Sequence, residues 1–193
     1  MPTLTRLLLA MLVVVALPVQ ANWYLDNESS RLSFVSTKNA DTSEVHRFLN
    51  LHGKVDKKGV AELEVEMDSV STGIPLRDEH LRRQLFDVKQ FPEARISAQL
   101  DMRPITALAP GAQLELRLPL RVQIRGQSQS YSAELLATRL DERRFQVVTL
   151  EPLVLHAEDF GLLPGLGALR KAADLSAIGF SVPVGAVLIF SAR

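Results

Sequence analysis

The sequence predicts an antiparallel all-β domain, either a sandwich or a barrel, and three features support this. Apolar and polar residues alternate with period two over several segments, which is typical of strands with one buried and one solvated face. Short turn-forming sequences, such as Asp56–Gly59 and Arg125–Ser128, join these segments as hairpins. Long segments of helical periodicity do not alternate with them, which argues against a parallel α/β sheet. The chain of 193 residues fits one domain with one core.

The clearest strands are Ala61–Asp68 and Leu114–Ile124, where the alternation is complete. Glu and Leu are good helix formers, but a period-two pattern outweighs helix propensity. Shorter alternating strands are predicted at Arg31–Thr37, Ala94–Met102, Tyr131–Arg139 and Phe145–Leu150, and less regular apolar strands at Val45–Val55 and Phe180–Ala192.

Three places depart from the strand pattern. Leu76–Asp87 has apolar residues at helical spacing after Pro75, which suits a helix start. Pro164–Leu175 predicts a second, weaker helix or lid. Pro119 lies inside a predicted strand, and because proline removes a ladder donor, we expect a bulge or an exposed edge there.

The N-terminus has the three-part pattern of a secretory signal peptide. Arg6 precedes the apolar run Leu7–Leu17, and Val19-Gln20-Ala21 offers small residues for cleavage. The run is too short to span a bilayer, which requires about 20 apolar residues. We therefore predict a cleaved signal peptide at residues 1–21, a mature domain at 22–193, a product exported from the cytoplasm and no stable membrane anchor.

Composition excludes several classes of function. The 22 basic and 22 acidic residues give a net charge of zero, so nothing favours binding along a nucleic-acid backbone. The absence of cysteine excludes disulfides, thiolate metal sites, cysteine nucleophiles and lipidation of an N-terminal cysteine.

The apolar face of the predicted strands has two interpretations. If about eight strands close into a barrel, the interior is either filled by side chains or hollow enough for one small ligand. The inward positions are aliphatic and short, with several alanines and few aromatic residues, which leaves room inside. A dry apolar cavity would suit a hydrocarbon chain. The pattern alone leaves both interpretations open.

An ordered set of motifs along the mature chain resembles the YceI-like family of bacterial periplasmic proteins. The motifs are Ser30–Phe34, Gly53–Val55, Asp68–Gly73, Arg77–Leu81, Leu85–Val88, Phe91-Pro92, Val122–Gly126 and Glu158–Leu162. The resemblance implies a lipocalin-like barrel of about eight antiparallel strands with one or two short helices at its mouth. It also implies a long apolar tunnel that binds a polyisoprenoid, an isoprenoid quinone or a similar long-chain lipid.

On this interpretation the protein binds, sequesters or transports its lipid through the periplasm, without a cofactor and without covalent chemistry. A homodimer is left open. The expected tunnel lining is Phe34, Phe48, Leu63, Val65, Met67, Leu81, Leu85, Phe86, Ile96, Ala98, Leu100, Leu118, Leu120, Val122, Leu135, Val147, Phe160, Phe180 and Val182.

Two other functions remain as alternatives. One is a structural or interaction domain with a filled core. The other is an enzyme acting on a lipid inside the barrel, with His80 or His156 as general acid or base. No serine lies in a nucleophile elbow, and the four histidines lack the paired spacing of metal ligands, so no catalytic or metal residue is assigned.

Overall fold

The computed structural model describes residues 22–193, so the predicted signal peptide lies outside the described residues. The strands are β1 (Trp23–Leu25), β2 (Arg31–Lys38), β3 (Thr42–Phe48), β4 (Leu51–Val55), β5 (Val60–Glu66), β6 (Val70–Ser71), β7 (Glu93–Gln99), β8 (Gln113–Ile124), β9 (Gln127–Asp141), β10 (Arg144–Thr149), β11 (Leu153–His156) and β12 (Ser181–Ala192). The helices are α1 (Pro75–His80), which continues as a π-helical segment (Leu81–Phe86), α2 (Met102–Thr106) and α3 (Leu163–Ala172), and short 3-10 turns span Met67–Ser69 and Ala157–Phe160.

Eight strands close into an antiparallel barrel, in the order β1-β4-β5-β7-β8-β9-β10-β12, with β12 pairing back to β1. This confirms the barrel. The remaining strands extend it at one end, since β12 pairs β1 near Phe190 but pairs β2 near Val184. We call the end at Phe190 the lower end and the end at Val184 the upper end.

The longest hairpin, β8–β9, shows why these residues form strands. Its register is continuous from Gln113 opposite Thr138 to Ile124 opposite Gln127. The two turn residues, Arg125 and Gly126, both have positive φ, which fits the tight turn preferred between twisted strands.

Pro119 lies within this hairpin opposite Ser132 without a bulge, and of the two expected arrangements the structure has the exposed edge. The pairing of β8 with its other neighbour, β7, ends at Arg121. Proline has no backbone N–H, but no β7 residue is paired with Pro119 to accept a hydrogen bond from one.

Two predicted strands differ from the structure. Val45–Val55 is two strands, β3 and β4, which separate at Leu49 and Asn50. Ala94–Met102 ends as a strand at Gln99, because Asp101 begins α2 by accepting a hydrogen bond from the backbone N–H of Arg103 (3.1 Å). The Arg103 guanidinium also bonds this carboxylate and lowers the pKa of Asp101 to about 2.

Candidate ligand-binding site

The barrel encloses a cavity of about 310 Å³ whose walls are almost wholly hydrocarbon. Alternation along the strands places one face of each toward the cavity, for example Leu116, Leu118 and Leu120 of β8. Of the 44 residues that line it, the ones that are not hydrophobic are Ser33, Glu62, Ser97, Thr149 and Gly185. The Glu62 carboxylate pairs with Lys54 (3.0 Å) at an exposed position, so it adds no charge to the interior. The volume lies within the range of small-ligand pockets, about 300–1,000 Å³.

The middle of the barrel is hollow rather than filled. Inward-facing Leu63, Ile96, Leu118, Leu135 and Leu188 are only half-buried, although barrel strands surround them. In a close-packed core such residues touch neighbours on all sides and lose nearly all their accessible surface. The remaining accessible surface therefore faces the cavity.

The lower end is closed by a small apolar cluster of buried Trp23, Val55, Ile105 and Phe145. The rings of Trp23 and Phe145 meet edge to face with centroids 4.8 Å apart. Ile105 comes from α2, which therefore lies across the lower end of the barrel rather than continuing a strand.

The upper end is covered by a larger cluster built from the π-helical segment, the turn at Ala157–Phe160 and α3. Phe86, Phe160 and Leu166 are buried there, and each lines the cavity. The helices pack closely, since a Cβ atom added at Gly165 of α3 would lie 2.5 Å from the carbonyl oxygen of Gln84.

A polar network lies beyond the apolar residues of β2 and β3, at the upper rim. The Glu44 carboxylate accepts hydrogen bonds from Lys38 (2.9 Å) and Arg77 (2.6 Å). The hydrogen bond from Lys38, with help from Arg77, lowers the pKa of Glu44. Asp78 accepts from the backbone N–H and the hydroxyl of Thr72. The two positive and two negative charges balance, so this network is polar but neutral.

His46 lies between this network and the aromatic residues of the cavity. Its Nε2 atom lies 2.8 Å from the Ser36 hydroxyl, and its ring lies beside that of Phe34, with centroids 5.2 Å apart. The side chain is buried and its Nδ1 atom has no hydrogen-bond partner. Burial, with the nearby Arg77, lowers the pKa of His46, so the imidazole is neutral near pH 7.

The structure places seventeen of the nineteen residues expected to line the interior around this cavity: Phe34, Phe48, Leu63, Val65, Met67, Leu85, Phe86, Ile96, Ala98, Leu100, Leu118, Leu120, Val122, Leu135, Val147, Phe160 and Val182. Leu81 and Phe180 lie elsewhere. Leu81 is buried within the upper cluster, where Leu85 and Phe86 take the positions facing the cavity. Phe180 precedes the first residue of β12 and is 54% exposed, because the strand's alternation does not extend past its end.

Sequence reasoning missed Trp23, Ile105 and β11 as parts of the wall. Leu153 and Leu155 of β11 face the cavity around an outward Val154, an alternation too short to identify alone. Trp23 lies in a three-residue strand, and Ile105 in a helix marked only by its Asp101 cap.

The two histidines considered as general acid or base lie away from the cavity. His80 ends α1, and His156 is exposed, with Nδ1 3.3 Å from the Ser181 hydroxyl. Among residues 22–193, no group of three His, Asp or Glu side chains is placed to hold a metal ion. The same part of the chain contains no helix both long and apolar enough to cross a membrane.

Comparisons with known proteins agree with this architecture. A family model described as a YceI-like domain matches residues 23–189. A solved structure of a polyisoprenoid-binding domain from Saccharophagus degradans, implicated in plant cell wall breakdown, is 32% identical, with a TM-score of 0.87 over 89% of this chain and 98% of that chain. BcnA of Burkholderia cenocepacia is 17% identical, with a TM-score of 0.65 over 86% of this chain and 98% of that one, which supports the fold alone. No curated protein matches the sequence.

Proposed function

Because the chain belongs to the YceI-like domain family, we propose that it binds one extended long-chain lipid, such as a polyisoprenoid or an isoprenoid quinone, inside its barrel. A fatty-acid-like chain has the same apolar character and is the nearest alternative. The protein would sequester or carry this lipid through the periplasm after removal of the predicted signal peptide. It would act without a cofactor and would leave the lipid chemically unchanged.

The hollow, hydrocarbon-lined middle of the barrel is the observation that carries this proposal. Moving apolar surface from water into such a space contributes about 25 cal/mol per Å². An alkyl or prenyl chain gains this along its whole length, whereas a polar ligand would lose hydrogen bonds to water without replacing them. The similar domain from Saccharophagus degradans is described as polyisoprenoid-binding, which supports the same ligand class here.

Filling the cavity tests the proposal. Leu118 points inward from the middle of β8, while its neighbour Arg117 points outward and pairs with Glu134 (3.0 Å). Leu118→Trp adds a bulky side chain to the cavity, and Arg117→Trp adds one to the outer surface as a matched control. Uptake of a radiolabelled polyprenol by the delipidated proteins is measured, with circular dichroism to check folding.

We expect Leu118→Trp to keep the β-rich spectrum and lose at least about tenfold in affinity, because the indole takes space the chain needs. Arg117→Trp should bind like the wild type. Equal uptake by both variants would show that the polyprenol binds outside the barrel.

A further inference from the structure

We propose that α2 is a chain-length stop: the far end of the bound apolar chain ends against Met102 and Ile105, and these side chains set the longest chain that fits. The inference rests on the proposed function, since it assumes that an apolar chain occupies the cavity. It assigns the lower end of the barrel a role in selecting ligands by length.

α2 lies at the lower end of the cavity, where the wall is apolar. Met102 and Ile105 both line the cavity, and Ile105 is buried between the lower-end residues Trp23, Val55 and Phe145. Both side chains are hydrocarbon-rich and hold no polar group that could receive a lipid headgroup. Among the polar side chains that line the cavity, Ser33 and Thr149 lie beside Gly185 toward the upper end, where His46 and Ser36 also adjoin Phe34. Glu62, nearer the lower end, is exposed and paired with Lys54. A lipid with a polar head therefore places its tail toward α2.

Arg139 holds α2 in place against the barrel. Arg139 donates hydrogen bonds to the carbonyl oxygens of Thr106 (2.8 Å) and Leu108 (3.2 Å), which end and follow the helix. The same guanidinium bonds the carbonyl oxygen of Asp141 (3.1 Å) in β9 and lies over the Phe145 ring, 5.4 Å from its centroid. Because one planar group with several donors joins the end of α2 to the barrel wall, the lower end is fixed. A fixed wall limits the length of the bound chain, whereas a mobile wall would move aside and admit a longer chain.

The test is a length series of linear polyprenols, each differing by one isoprene unit, against the wild type and the double variant Met102→Ala/Ile105→Ala. Together the two substitutions remove about six side-chain heavy atoms, close to the five carbons of one isoprene unit. Leu108→Ala is the matched control, because Leu108 packs against the same cluster without lining the cavity.

For the wild type, affinity should rise steeply with each added isoprene unit, by about fourfold for each of its carbons that is buried, until the chain reaches α2, and then stop rising. In the double variant the rise should continue for one more isoprene unit, while Leu108→Ala keeps the wild-type limit. An unchanged limit in the double variant would overturn the length stop and leave the proposed function standing. If the wild type binds no polyprenol of any length, both fail.

The fluorescence of Trp23 provides a second measurement on the wild type. This measurement does not depend on whether the double variant folds. Trp23 is the only tryptophan of the chain and lies beside Ile105 at the lower end. A polyprenol brominated at its tail end should quench Trp23 fluorescence on binding, because bromine quenches at short range, and one brominated next to the headgroup should not. Stronger quenching by the head-brominated chain would overturn the proposed orientation and the length stop with it.

Discussion

The middle and the ends of the barrel are built from the same alternating strands but are packed differently. At the upper end Phe160 is 1% exposed, and at the lower end Phe145 is 4% exposed. In the middle, Leu63, Leu118 and Leu135 face inward yet stay half-buried, because the cavity lies between them.

The difference arises from residues outside the barrel strands. The ends are filled by α2 below and by the π-helical segment, the Ala157–Phe160 turn and α3 above. In the middle, only side chains of the strands themselves are available, and several, including Ala61 and Ala98, are too small to meet across the barrel. Alternation thus determines which face is apolar, and the connecting segments determine where that face is covered.

The largest contrast is expected from truncating one side chain in each region. Phe160→Ala should lower the free energy of unfolding by about 3–5 kcal/mol, since it opens a void in a filled end. Leu118→Ala should lower it by only about 1 kcal/mol, because part of the Leu118 surface already faces the cavity. Urea denaturation followed by circular dichroism measures both. Equal losses would mean that the middle is as densely packed as the ends.

Substituting two glycines of α3, in the upper end, should give a smaller difference in the free energy of unfolding. Gly165→Ala should lower the free energy of unfolding by about 1–3 kcal/mol, because its Cβ would collide with the backbone of the π-helical segment. Gly167→Ala meets no atom within 4 Å and should raise stability by up to about 1 kcal/mol. Thermal unfolding distinguishes them by the sign of the shift in Tm. The same sign for both would show that α3 does not rest tightly on that segment.

The smallest effect concerns His46, at the join between the apolar cavity and the polar rim. Burial lowers its pKa in the folded state below the ordinary value of 6.5. The unfolded chain therefore takes up a proton first as pH falls, and stability decreases from about pH 6.5 down through the folded pKa. Lys38, Glu44, Arg77 and Asp78 surround this residue, so the comparison is made against His46→Gln.

The free energy of unfolding is to be measured by urea denaturation at about pH 7.5 and 5.5. The wild type should lose more stability than His46→Gln over this interval. Parallel losses in the two proteins would show that His46 keeps its ordinary pKa in the fold.

Much of the barrel could be predicted from the sequence, because period-two alternation marks strands and the inward face of β8 directly. Local signals could not reveal α2, since its five residues are too few to show helical periodicity. They also could not distinguish a half-buried Leu118 from a fully buried Val65, which is 2% exposed. Both alternate in the same way, and only the contacts made across the closed barrel separate them. For that reason Leu118 is a better site than Val65 for a cavity-filling tryptophan.

Native mass spectrometry of the protein, purified without detergent from its own cell envelope, tests the central claim most directly. The account predicts one apolar long-chain molecule per protein, released by organic extraction and recovered when the stripped protein is offered polyprenols or isoprenoid quinones. A protein that carries no such molecule and takes up none of these lipids would contradict it.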